Sequence, residues 1–165
     1  MTDQTQTQTQ TQTQTQTQTQ TQTKTQPEPI HKQSAYVAVL EQLHRTHKDL
    51  DQYKATAMMF DTINGTDDLS KLTYKTLNGA LGCLSRAFKA ESLMDYIKQK
   101  QLPEIAPELA CMGDMLVAKD ELHDDVMFFG MTRQLVFTDN GIQLDKQLAR
   151  DLIADGMEIK AFRLI

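Results

Sequence analysis

From Gln4 to Gln22 the chain alternates glutamine with threonine, and Lys24, Thr25, Gln26 and Pro27 close the tract. After Met1, the first 26 residues hold no aliphatic or aromatic side chain. Ordering a backbone costs roughly 1–2 kcal/mol per residue, and a segment without apolar surface has nothing to offset that cost. The tract is therefore expected to be a disordered tether. Its alternation of β-branched Thr with Gln also suits a strand added to a partner, or a stacked cross-β ladder. Residues 1–29 are assigned to this arm and residues 30–165 to one domain.

Asp3 and Lys24 cancel, so the whole formal charge of −5 lies from Pro27 onward. An acidic body with a pI near 5.3 lacks the Lys/Arg surface that sequence-independent binding of nucleic acid requires. No apolar run approaches the ~20 residues that span a bilayer, and the N-terminus carries no apolar signal-peptide core. Two cysteines, Cys83 and Cys111, are too few for a disulfide framework and suit a reducing compartment. Nine methionines and no tryptophan suggest a pliable core.

The domain divides by periodicity. Pro27, Glu28 and Pro29 form a stiff joint. From Ser34, Tyr36, Val37, Leu40 and Leu43 mark a first helical face. Thr46 with Asp49 reads as a capping box, unless the helix continues. Leu50, Tyr53, Ala57, Phe60 and Ile63 mark a second helix, stopped by Asn64-Gly65. Thr66 to Lys71 reads as a polar loop. Leu77, Leu81, Leu84 and Phe88 mark a third helix, in which Gly79, Ala80 and Gly82 permit close backbone approach; Glu91 to Gln99 makes a fourth. Leu102-Pro103 and Ala106-Pro107 give an extended connector.

Beyond Met112 the period shortens. Met115–Ala118, Val126–Phe129 and Gln134–Phe137 are strand-like, and Thr138-Asp139-Asn140-Gly141 predicts a hairpin returning through Ile142–Leu144. Leu144, Leu148, Leu152 and Ile153 suit a short helix, and Met157–Leu164 a last strand. Helices first and a small antiparallel sheet second define an α+β domain.

The order of these pieces, from about Leu50 to Leu164, resembles an uncharacterised phage and prophage family related to the NlpC-type cysteine peptidases. The resemblance rests on Ile63-Asn64-Gly65-Thr66-Asp67, Tyr74-Lys75-Thr76-Leu77-Asn78-Gly79-Ala80-Leu81 and Gly113-Asp114-Met115-Leu116-Val117. Phe128-Phe129-Gly130, the Phe137–Ile142 hairpin and Ile159-Lys160-Ala161-Phe162-Arg163-Leu164 complete it. It implies a papain-like fold in which a His-Asp-Cys triplet opens the second helix and the Cys is the nucleophile. That triplet falls here on Leu50-Asp51-Gln52, so only the aspartate is kept. The base position, at the start of a strand running into Gly130, falls on Asp124, with His123 beside it.

Nucleophilic attack needs a thiolate activated by a base or a helix N-terminus, and a carboxamide offers none. The degenerate positions Asp51, Gln52 and Asp124 therefore imply a scaffold without the peptidase reaction. Cys111 with His123 as base is the weak alternative dyad. Cys83 sits mid-helix as a small hydrophobe.

His44, His47 and Asp51 would share one face if the first helix ran on, enough for an open zinc site, but no fourth ligand or supporting group accompanies them. Asp120, Glu121, Asp124 and Asp125 read as a solvated acidic loop. Lys98 to Lys100 read as an exposed helix end. No metal or cofactor is expected, and no glycine-rich phosphate loop is present.

The expected function is a non-enzymatic phage or prophage structural protein: a tail, neck or capsid component or an assembly adaptor. Its partners would be other virion proteins or further copies of itself, in the particle or in the host cytoplasm before assembly. The alternative is an active peptidoglycan hydrolase or amidase.

Overall fold

The computed structural model describes residues 29–46, 50–119, 122–130, 134–138, 141–143 and 158–165. The Thr-Gln tract, the turn residues Asp139 and Asn140, and the helix expected over Leu144–Ile153 lie outside the described residues.

Four α-helices come first: α1 (Pro29–Thr46), α2 (Gln52–Asn64), α3 (Ala80–Phe88) and α4 (Leu93–Lys98). The strands follow as β1 (Glu104–Ile105), β2 (Asp114–Ala118), β3 (Asp125–Phe129), β4 (Gln134–Thr138), β5 (Gly141–Gln143) and β6 (Ile159–Arg163). All pairings among them are antiparallel, in the order β1-β6-β2-β3-β4-β5. The fold is α+β.

Helix α1 begins at Pro29, five residues before the periodicity predicts and inside the joint assigned to the arm. Proline is well placed in a first turn, because it lacks an N–H that would have no partner there. Tyr36, Val39 and Leu43 are its buried residues, with Leu40 partly covered. Val37 is only half-buried, so the stripe is turned from the expected one. The helix ends at Thr46, whose hydroxyl bonds back to the Gln42 carbonyl at 2.9 Å instead of capping a new helix. Asp51 is the N-cap of α2.

The Asn64-Gly65 stop behaves as expected: Gly65 takes the left-handed conformation (φ 66) and its N–H bonds the Asp61 carbonyl. The loop after it is less polar in its surroundings than in its sequence. The Asp61 carboxylate collects the Thr66 hydroxyl and the Asp68 and Leu69 amides at 2.6, 2.7 and 2.9 Å, and Asp68 itself is buried. A 3-10 turn at Leu77–Gly79 leads into α3, which ends on Lys89 in the left-handed region.

The proposed close approach at Gly82 is not found; a Cβ there would meet nothing within 4 Å. Gly113 is the glycine under real constraint. Its φ is +94, and a Cβ would fall 2.5 Å from Ile165.

The sheet is buried on both faces, which explains why β2 and β3 read as continuous apolar runs and not as alternations. Met115, Val117, Val126, Phe128, Leu135, Phe137 and Phe162 face the helices in one cluster. Leu116, Met127, Phe129, Val136 and Ala161 form the other, with Ile105, Ala110 and Ile159 packed against them. The connector around Pro103 and Pro107 is partly strand: β1 pairs with β6 through Glu104↔Phe162 and Ile105↔Ala161.

Tyr36 ties the helical layer to the sheet. Its hydroxyl donates to the Phe129 carbonyl at 2.7 Å, with the Asp114 carbonyl at 3.2 Å. Burial pushes its pKa well above the ordinary phenol value. At that end of the sheet, the buried Asp114 carboxylate accepts from Arg163 Nε at 3.1 Å and from the Cys111 amide at 3.0 Å.

Candidate functional site

Of the residues singled out by the sequence, Asp51, Gln52 and His123 lie at the head of α2. Asp51 has an extended backbone, and one of its carboxylate oxygens accepts from the Tyr53 and Lys54 amides at 3.1 and 3.0 Å. Those amides would otherwise have no partner, because the first turn of a helix lacks acceptors for its N–H groups. The same oxygen takes the Tyr74 hydroxyl at 2.5 Å, and the Lys54 ammonium lies 4.5 Å over the Tyr74 ring. Burial and then the hydrogen bond to Asp51 raise the Tyr74 pKa, so this phenol stays protonated and donates.

Gln52, the first residue of α2, is fully buried. A helix N-terminus lowers the pKa of a thiol placed on it, but a carboxamide has no proton to give up in this range. Gln52 therefore fills the position without supplying a nucleophile.

His123 is buried at the entrance to β3, and its Nδ1 shares a 2.8 Å hydrogen bond with the Tyr53 hydroxyl. The two rings meet edge to face, 5.7 Å between centres and 88° between planes. Whichever group donates, Nδ1 is occupied. The imidazole is held by a phenol from the second residue of α2.

Asp124 is engaged by α4. It is buried, contrary to the solvated loop expected of this acidic run, and its carboxylate accepts the Met94 amide at 2.7 Å in the first turn of α4. That turn is capped again by Ser92, whose hydroxyl accepts from the Asp95 amide at 3.0 Å. Asp120 and Glu121 lie outside the described residues. The carboxylate at the expected base position is thus a helix-capping group.

The alternative dyad of Cys111 and His123 is not brought together. β2 and β3 are antiparallel, with Met115 opposite Phe128 and Ala118 opposite Asp125. Cys111, before β2, lies by the Phe129 end, and His123, before β3, lies by the Ala118 end. Five-residue strands at ~3.3 Å per residue separate those ends by more than about 13 Å. The Cys111 thiol instead lies 3.5 Å from the Asp114 carboxylate, which raises its pKa and disfavours the thiolate. Cys83 is buried in α3 and its thiol points to the Lys71 carbonyl at 3.4 Å.

The one-face arrangement of His44, His47 and Asp51 fails because α1 stops at Thr46 and Asp51 caps a separate helix. His47 lies outside the described residues. No group of three or more His, Cys, Asp or Glu placed to hold a metal occurs among the described residues. No helix among them is long and apolar enough to cross a membrane.

Sequence reasoning passed over Tyr53 and Tyr74. Tyr53 fits the apolar stripe of α2, and its position directly after Gln52 is the one signal of a polar role for its hydroxyl. Comparison of the chain with protein-family models, curated proteins and solved structures finds no match.

Proposed function

We propose that this chain is a non-enzymatic structural or adaptor protein of a phage or prophage particle, built on a cysteine-peptidase type of scaffold that has lost its nucleophile. One observation carries the non-catalytic part: the head of α2 presents a buried carboxamide, Gln52, and the nearby imidazole of His123 is engaged by Tyr53. Covalent catalysis needs nucleophile and base within hydrogen-bond reach of one another, and Cys111 lies at the far end of the β2–β3 pair from His123.

The particle setting is supported by the sequence resemblance and by the Thr-Gln arm. A coil of n residues spans about 5–6 Å × √n, enough for 26 residues to cross onto a neighbouring subunit. Once there, an alternating β-branched tract can add a strand to an exposed sheet edge. Other virion proteins or further copies of this chain are the partners that fit. The protein would be found in the particle, or in the host cytoplasm before assembly.

Mass spectrometry of purified particles tests the assignment; stoichiometric presence of the chain is expected, and its absence from particles while abundant in the cell would overturn it. Cell-wall digestion by the wild type, Cys83→Ser and Cys111→Ser tests the rival hydrolase. Turnover that disappears in one cysteine variant would replace the structural reading.

A further inference from the structure

Lys100 follows α4 in a turn completed by Gln101, whose backbone is left-handed (φ 53). A lysine in such a place ordinarily keeps its ammonium in water. Here the side chain is only 19% exposed and its Nζ pairs directly with Asp68, itself 4% exposed. The Nζ also lies 4.8 Å from the Tyr96 ring centre and 5.6 Å from those of Phe60 and Phe88.

These rings form a unit. Tyr96 packs 5.7 Å from Phe60 and 4.8 Å from Phe88, and its hydroxyl donates to the Asp68 carboxylate at 2.6 Å. An ammonium is strongly hydrated, so it leaves water only where a carboxylate and π faces together replace its hydration. All of those replacements are present around Nζ. Burial alone would raise the Asp68 pKa, but hydrogen bonds from Lys100 and Tyr96 outweigh it and hold the carboxyl below its ordinary value. The second lysine, Lys71, is half-exposed, 3.4 Å from the other Asp68 oxygen and 5.5 Å from the Phe88 ring.

We propose that Phe60, Phe88, Tyr96 and the Asp68 carboxylate form a recognition site for a primary alkylammonium ion, occupied in this chain by its own Lys100. When the Lys100 side chain is cut back to Cβ, a free n-propylammonium ion restores the missing atoms, three carbons and the nitrogen. The site selects primary over quaternary ammonium, because the direct pairing with Asp68 needs an N–H donor. It lies apart from the head of α2 and does not depend on the function proposed above.

The test uses the full chain with Lys71→Ala as reference, so that Lys71 cannot swing into the vacated place. Lys71→Ala/Lys100→Ala is expected to melt several degrees below the reference. n-Propylammonium chloride should restore more than half of that loss saturably, with a dissociation constant on the order of millimolar for so small a ligand. Sodium chloride, 1-propanol and tetramethylammonium chloride at equal concentration should not. Equal effects of n-propylammonium on both proteins, or none on the double variant, would overturn the proposal. Should the double variant fail to fold, the wild type decides. Its Lys100 Hε protons should show upfield ring-current shifts in NMR, and values typical of a solvated lysine would overturn the site.

Discussion

The Tyr53 hydroxyl and His123 Nδ1 lie 2.8 Å apart, both side chains buried, joining the first turn of α2 to the residue two positions before β3. This contact spans 70 residues of sequence and connects the helical layer to the sheet through polar atoms in an apolar setting. Tyr53→Phe keeps the ring and deletes the bond, leaving a buried imidazole nitrogen without its partner. The loss should be about 1–3 kcal/mol, read as a lower midpoint at unchanged slope in urea unfolding. An unaltered midpoint would show that the pair contributes no net stability.

Asp51 caps α2 and receives Tyr74 through one oxygen. Asp51→Ala should cost about 1–3 kcal/mol, a cap of ~1 plus the orphaned phenol. Asp51→Asn keeps an acceptor and should cost clearly less. Equal losses in thermal unfolding of the two variants would mean that charge, not capping geometry, is what matters.

Two glycines should respond in opposite directions. Gly82 is the exposed third residue of α3 with open space at its Cβ position, so Gly82→Ala should stabilise by about 0.4–1 kcal/mol through the unfolded chain. Gly113→Ala meets Ile165 and a φ of +94, and should destabilise by about 1–3 kcal/mol. Adding Ile165→Ala removes the clash and leaves the backbone strain, so recovery should be partial. Full recovery would show that φ at this position is not costly.

Asp68 sets an acid limit. Its folded pKa is depressed, whereas in the unfolded chain it titrates near 3.9. The unfolded state then binds the proton first, so the stabilisation is present above about pH 4 and is lost as pH falls through the lower folded value. Between about pH 5 and pH 2, wild-type stability should fall more steeply than that of Asp68→Asn. Parallel profiles in equilibrium unfolding would remove Asp68 from the account.

Much of the architecture was legible because it rests on local signals. Asn64-Gly65 ends α2, β4 and β5 pair antiparallel as the Thr138–Gly141 signal implies, and the runs at 115–118 and 126–129 are strands buried on both faces. What escaped were groups whose partners are remote in sequence. Asp68 sits among polar loop residues, and nothing nearby signals that Tyr96 and Lys100, about 30 positions on, will enclose it. Asp124 reads as one of an acidic run until α4 supplies an amide for it. Tyr53 is hidden at the head of α2 because a tyrosine in an apolar stripe looks like core. The edge strand at 104–105 was obscured by its flanking prolines, and β6 is needed to pair with it.

Strand β6 is an interior strand, hydrogen-bonded to β1 on one side and β2 on the other. Both neighbours precede residues 159–163 in the chain, so the sheet closes only when this late segment inserts between them. Without β6, the N–H and C=O groups of β2 on that side are unpaired. Detachment of β6 would therefore leave the sheet open at β2, a template for pairing with another chain.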